Sequence, residues 1–194
     1  MPKQMKPSRS VLLAFLLMGV STRAHGDTSP PTPTPSPRAL EAIRLIESSD
    51  PYEQQVGFLR LEALREPSTI EVLERYAAHP QAQRRAAGLR ALAAIQGSSA
   101  APRLLERLKT DRDAAVRRAI LLGLEPFALE HPDILPALLK ALRDRDTEVR
   151  MTAVDIVSRI DDPRAREAIR FRYKYEWRRD VRRVLASAMP RLEK

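Results

Sequence analysis

Hydrophobic positions fall into three regimes along the chain. Val11 to Val20 is an uninterrupted apolar run of ten residues, residues 27–37 hold no large apolar side chain, and from residue 39 onward apolar positions return at helical spacing. In this last region they recur at i, i+4, i+7 or i+8 and i+11. Val149, Ala153, Ile156, Val157 and Ile160 show the pattern best, followed by Val181, Leu185, Ala188, Met189 and Leu192. Each set forms one buried stripe on an amphipathic helix. Shorter stripes precede them: Leu40, Ile43 and Ile46; Ile70, Leu73 and Tyr76; Leu104, Leu105 and Leu108; Leu135, Leu138, Leu139 and Leu142; Ala165, Ala168 and Ile169. No stretch alternates with period two for long enough to propose a strand, so an all-α fold is expected.

The stripes come in pairs separated by polar turns, and the pairs repeat. Asp111-Arg112-Asp113-Ala114-Ala115-Val116-Arg117 matches Asp144-Arg145-Asp146-Thr147-Glu148-Val149-Arg150, and Leu104 to Leu108 matches Val72 to Tyr76. His79 to Arg85 is a degenerate copy of the turn, while Asp50 to Val56 and Glu176 to Arg182 are weaker ones. Aligning the residue before the turn's arginine gives the register Gln55, Arg84, Val116, Val149 and Val181, with spacings of 29, 32, 33 and 32 residues. Pro51, Pro67, Pro80, Pro102, Pro132 and Pro163 fall at expected helix starts, where a missing N–H costs nothing. Asp50 and Asp162 stand before two of them as N-caps. Pro126 is expected to end a helix early, and Pro136 to be a first-turn residue or a kink.

With these turns in view, residues 39–194 resemble HEAT repeats, specifically the compact bacterial type of phycobilisome-lyase-like proteins. The Asp-x-Asp-x-x-Val-Arg turn carries the resemblance. It implies an α-solenoid of about five helix pairs, and it leaves function open because such stacks serve many tasks. The family label also implies an accessory role in attaching a bilin pigment to a partner protein, for which no catalytic residue can be placed here.

The region before the repeats bears on address. Lys3, Lys6 and Arg9 precede the apolar run, no acidic residue occurs before Asp27, and small residues follow at Ala24 and Gly26. This is the pattern of a secretory signal peptide, residues 1–26, with cleavage expected after Gly26 or, alternatively, after Ala24. An uncleaved membrane anchor is the competing reading, but ten helical residues cover only about half of a ~30 Å hydrocarbon core. The mature chain is therefore expected to be exported, periplasmic or extracellular, and not membrane-spanning. Residues 27–38 read as a spacer, since 27–37 hold five of the 16 prolines. That composition favours an extended solvated chain, with a proline-rich docking motif as the alternative. Without any cysteine, neither a lipid anchor nor disulfide staples are available, and stability must come from helix packing.

Catalytic chemistry finds little support. Of three histidines, His25 falls in the signal, while His79 and His131 each precede a proline and read as turn or capping residues. No second ligand stands at i, i+4 from either one. The His-Glu dipeptide of the di-iron HEAT-repeat enzyme deoxyhypusine hydroxylase is missing, as is a Gly-rich phosphate loop. No enzyme activity, metal or other cofactor is expected; the reading is a scaffold that binds a protein partner.

Charge is uneven. The formal net charge is +9 overall, yet residues 39–163 carry 18 basic and 20 acidic side chains, against 11 and 4 in residues 164–194. Arg85, Arg117, Arg150 and Arg182 recur on the second helices, with Asp113 and Asp146 four residues before two of them; they are expected either to form helix-surface and inter-repeat ion pairs or to make a positive stripe along the concave wall of second helices. The positive excess itself lies in the last pair, where aromatic and basic side chains interleave. Arg172, Tyr173, Lys174, Tyr175, Trp177, Arg178, Arg179, Arg182 and Arg183 are the candidate binding residues. They suit an acidic protein, an anionic polymer or an anionic membrane or envelope surface, and the export signal disfavours nucleic acid. The competing reading makes the segment a solubilising end cap, with Phe171 and Trp177 partly packed and arginine stems covering apolar surface.

Overall fold

The computed structural model describes residues 34–192; the expected signal peptide, its cleavage point and the spacer up to residue 33 lie outside the described residues. Ten α-helices follow one another among those described, with no strand: α1 (Pro37–Glu47), α2 (Pro51–Leu64), α3 (Ile70–Ala77), α4 (Ala82–Gln96), α5 (Ala101–Thr110), α6 (Ala114–Leu124), α7 (Ile134–Ala141), α8 (Thr147–Val157), α9 (Pro163–Tyr175) and α10 (Arg179–Ala188). They form five antiparallel pairs, the all-α solenoid that the stripes and turns predict. Even-numbered helices pack side by side as one layer, and each odd-numbered helix lies against its own partner in the other.

Helix boundaries follow local chemistry. Asp50, Asp113, Asp146 and Asp162 cap α2, α6, α8 and α9 by accepting N–H bonds from the first turn, which satisfies donors that no helix can satisfy internally. Ser36 caps α1, so Pro37 is the first helical residue and the spacer's last two positions already belong to the stack. Glu66 holds that cap in place, accepting from the Ser36 hydroxyl and, at 3.0 Å, from its N–H. Pro51 and Pro163 open α2 and α9, and Pro102 sits in the first turn of α5. Pro67 opens a 3-10 turn that leads into α3, whereas Pro80 and Pro132 stand in the turns before α4 and α7. Pro126 lies in the 3-10 turn that ends α6, and Pro136 is a first-turn residue of α7.

The core is continuous through all five pairs and mostly aliphatic. Leu73, Leu89, Leu92, Ile120, Leu121, Leu138, Val149, Ile156, Ile169 and Leu185 are all fully buried in it. Leu40 departs from its expected stripe and is 40% exposed, because α1 turns Ala39, Ala42 and Ile46 inward instead. Two glycines set how closely partner helices approach. A Cβ on Gly57 would stand 2.8 Å from the Ala42 carbonyl oxygen and Ile46 nitrogen, and one on Gly88 2.8 Å from the Ala77 nitrogen. Backbone meets backbone at both places.

Between pairs, a ladder of buried arginines joins each turn to the next. Arg85 donates from Nε and Nη2 to the two carboxylate oxygens of Asp111 at 2.7 and 3.0 Å, and from Nη1 to the carbonyls of His79 and Pro80. Arg117 repeats the arrangement one step on: its partner is Asp144, at 2.9 and 2.7 Å, and Nη1 reaches the carbonyls of Asp111 and Arg112. Arg150 does the same to the carbonyls of Asp144 and Arg145, with Glu176 at 3.3 Å as its carboxylate. The turn motif is thereby decoded. Its first Asp receives the preceding arginine, its second Asp caps the helix, its Val enters the core, and its Arg reaches forward.

The expected inter-repeat ion pairs form. Asp113 and Asp146 are not the carboxylates in them: the Oδ1 of each accepts first-turn N–H groups of α6 and α8. Nor do Arg85, Arg117 and Arg150 form a positive stripe, since all three are covered and paired. The first pair's register also moves by two residues. Gln54, not Val56, donates to the carbonyl six residues back, that of Ser48, as each ladder arginine does. Its Oε1 accepts from Arg84 at 3.1 Å, so a neutral amide replaces the first ionic rung and the spacing becomes 31 residues.

Burial pushes the Asp111 and Asp144 carboxyls up. The hydrogen bonds from Arg85 and Arg117, the Asp113 and Asp146 N–H groups and the nearby arginine charges outweigh it and hold both below the ordinary aspartate range. Stability from such lowered groups is complete above the unfolded aspartate value of about 3.9 and is lost as pH falls through the folded values. Asp144→Asn is therefore expected to cost about 3 kcal/mol at neutral pH by stranding a buried guanidinium. In urea unfolding at a series of pH values, the gap between wild type and variant should close below about pH 4. Gly57→Ala or Gly88→Ala should lower stability by about 1–3 kcal/mol, because a helix must move to admit the methyl group; the same unfolding measurement checks it.

Candidate interaction surface

Helix α9 divides its side chains sharply. Ala165 and Ile169 are buried, Ala168 and Tyr173 pack against the core, and Phe171 and Tyr175, four residues apart, emerge together on the outer side. They are 49% and 54% exposed with ring centroids 4.6 Å apart. Arg143, from the end of α7, places its guanidinium 5.4 Å from the Phe171 ring, and the Lys174 ammonium lies 5.4 Å from that of Tyr175. Both distances suit cation–π attraction.

The predicted residues separate into three groups. Arg172 and Tyr173 are tied into the fold: Arg172 donates to the fully buried Glu176 at 2.7 Å, and Tyr173 packs on the core beneath Arg182, whose guanidinium lies 4.9 Å from its ring. Burial pushes the Glu176 carboxyl up, but the Arg178 N–H, the Arg172 hydrogen bond and the charges of Arg172 and Arg150 hold it below the usual glutamate range. Lys174 and Tyr175 stand on the outer face with Phe171. Trp177, 77% exposed, sits in the turn between α9 and α10 with Arg178 5.6 Å from its ring. Arg179, Arg182 and Arg183 are exposed on α10. Arg178 is paired with Asp180 at 3.0 Å.

Two adjoining clefts meet at Phe171. The first, of about 480 Å³, opens between α7 and α9 and is lined by Leu139, Leu142, Ala168 and Phe171, with Lys140, Arg143, Arg164 and Glu167 among its polar walls. The second, also about 480 Å³, runs along α9 over Pro163, Arg166, Arg170 and Lys174 and shares Phe171 and Glu167. Asp162 holds Arg164 and Asp161 holds Arg166. Among the described residues no carboxylate pairs with Lys140, Arg143, Arg170 or Lys174.

Along the even-numbered helices, Glu62 meets Arg90, Glu148 meets Arg118, and Glu125 with Asp155 meets Arg159. Leu59 and Leu122 are exposed among them, each five residues past its ladder position. A more polar hollow of about 500 Å³ lies over the Arg85–Asp111 rung. The histidines act in turns: His79 Nδ1 accepts from the Gln81 N–H, His131 Nδ1 from that of Asp133. Among the described residues no group of three or more His, Asp or Glu could hold a metal ion. No helix among them is long and apolar enough to cross a membrane.

Lys140, Arg143 and Leu139 escaped the sequence reading. Leu139 looked like one more core position of its stripe, and only the juxtaposition of α7 with α9 shows that it faces Phe171. The aromatic–basic interleaving did locate α9.

The sequence model of a family described as HEAT repeats matches residues 40–125 and 102–190. Among solved structures, the chain resembles one from the complex of CpcE and CpcF of phycocyanin lyase from Nostoc sp. PCC7120. The likeness has a TM-score of 0.62 at 22% identity, covering 77% of this chain and 96% of that one. No curated protein matches in sequence.

Proposed function

Because this chain belongs to the HEAT-repeat family, we propose that it is an exported scaffold that binds a protein partner through its helical surface and carries no catalysis of its own. One observation supports this above others. Around two clefts with an apolar floor, the last two pairs expose Phe171 and Tyr175 beside cations without carboxylate partners. Exposed aromatics amid long cationic side chains are what a binding surface presents before its partner arrives. Export rests on the basic start and apolar run of the first 26 residues.

A second reading, attachment to an anionic envelope surface, draws on Trp177 and the arginines of α10, which project together around the turn between α9 and α10. A lyase-accessory role has the fold likeness behind it. In either protein-binding reading the partner is a protein, as in the two-chain complex that the stack resembles.

Expression of the full chain with a C-terminal tag in a bacterial host tests the proposal. The intact mass of periplasmic material should correspond to loss of residues 1–26 or 1–24. Crosslinked pull-down from the envelope fraction should recover a stoichiometric protein partner that survives detergent. Recovery of uncleaved chain in the cytoplasm would refute export. Retention by phosphatidylglycerol vesicles with no protein partner would favour the envelope-surface reading instead.

A further inference from the structure

The twin clefts around Phe171 allow the partner's chemistry to be stated, and this step rests on the scaffold reading above. We propose that the clefts between α7 and α9 and along α9 seat an acidic segment of the partner protein, with an apolar side chain between Leu139 and Phe171 and carboxylates on both sides of it.

The floor calls for the apolar group. Leu139, Leu142, Ala168 and Phe171 line the first cleft, and its volume of about 480 Å³ admits a leucine or aromatic side chain with room for backbone beside it. Burying such a side chain there removes water from the exposed half of Phe171 as well. The rims call for carboxylates. Lys140 and Arg143 stand at the first cleft and Arg170 and Lys174 at the second, two unpaired cations on each side of the same ring. The neighbouring Arg164, Arg166 and Arg172 already have acidic partners, so Lys140, Arg143, Arg170 and Lys174 are the cations left at these clefts to receive carboxylates.

A protein segment fits this arrangement better than a lipid surface. Glu167 lies in the shared wall of both clefts, where it would oppose a uniform sheet of phosphates. A peptide can place a neutral or basic residue opposite that carboxylate, and Glu167 then fixes its register.

Panning a random-sequence peptide display library against the purified full chain tests the assignment. Enriched peptides should share an apolar residue flanked by Asp or Glu. For a synthesised winner, Phe171→Ser and the double variant Lys140→Gln/Arg143→Gln should each weaken binding about tenfold or more, as should Gln for Glu in the peptide. The double variant alters exposed groups at the rim and guards against misfolding of the first, and circular dichroism checks both. Arg182→Gln/Arg183→Gln should leave affinity unchanged. Enrichment of non-acidic peptides, or binding insensitive to both cleft variants, would overturn the proposal. Loss of binding in Leu59→Ser/Leu122→Ser instead would remove the cleft and leave the scaffold reading standing. Absence of any enriched peptide, with retention on phosphatidylglycerol vesicles, would remove both.

Discussion

A guanidinium buried between two turns is the constraint on which the stack depends. Arg85 and Arg117 each satisfy the carbonyls five and six residues behind them and, with their remaining nitrogens, a carboxylate of the next pair, while Arg150 makes the same backward bonds and lies 3.3 Å from Glu176. A buried charge with any of these missing is costly, so the geometry tolerates little slip. Carboxylate and guanidinium together fix how far apart and at what angle successive pairs lie, while the aliphatic core supplies the bulk of the stabilisation. Where the arginine gives way to Gln54 at the first junction, the amide makes the same backward bond to Ser48 and accepts from Arg84 of the next pair at 3.1 Å.

The ladder also decides what is left on the surface. It draws Arg85, Arg117 and Arg150 inward, and cross-helix ion pairs occupy Arg90, Arg118 and Arg159 along the even-numbered helices. At the fourth and fifth pairs Glu176, just past the end of α9, is held inside the fold by Arg150 and Arg172. Among the described residues Lys140, Arg143, Arg170 and Lys174 have no carboxylate partner beside a pair of exposed rings.

Much of this was legible in the sequence. Helix number, pairing and the last three register steps follow from the apolar stripes and the Asp-x-Asp-x-x-Val-Arg turn, because period and capping are local properties. The first register step was misplaced because Gln54 has no charge to mark it, and only its bond to the carbonyl six residues back gives it away. The arginines' true partners lie 26 or 27 residues ahead, whereas sequence spacing drew attention to the aspartates four residues behind. The basic, aromatic character of α9 was visible, yet its division between residues locked into the fold, Arg172 and Tyr173, and residues offered to solvent, Tyr175 and Lys174, depends on the rotation of α9 against α7 and α10. No local pattern encodes that.

The central claim is that buried rungs couple neighbouring pairs into one cooperative stack. Native-state hydrogen exchange on Arg117→Gln tests it most directly, since the variant removes a charge without emptying the site of volume. The account predicts that protection drops together in α5, α6, α7 and α8, on both sides of the missing rung, while overall helix content is retained. Faster exchange confined to the turn between α5 and α6, or no change at all, would contradict it.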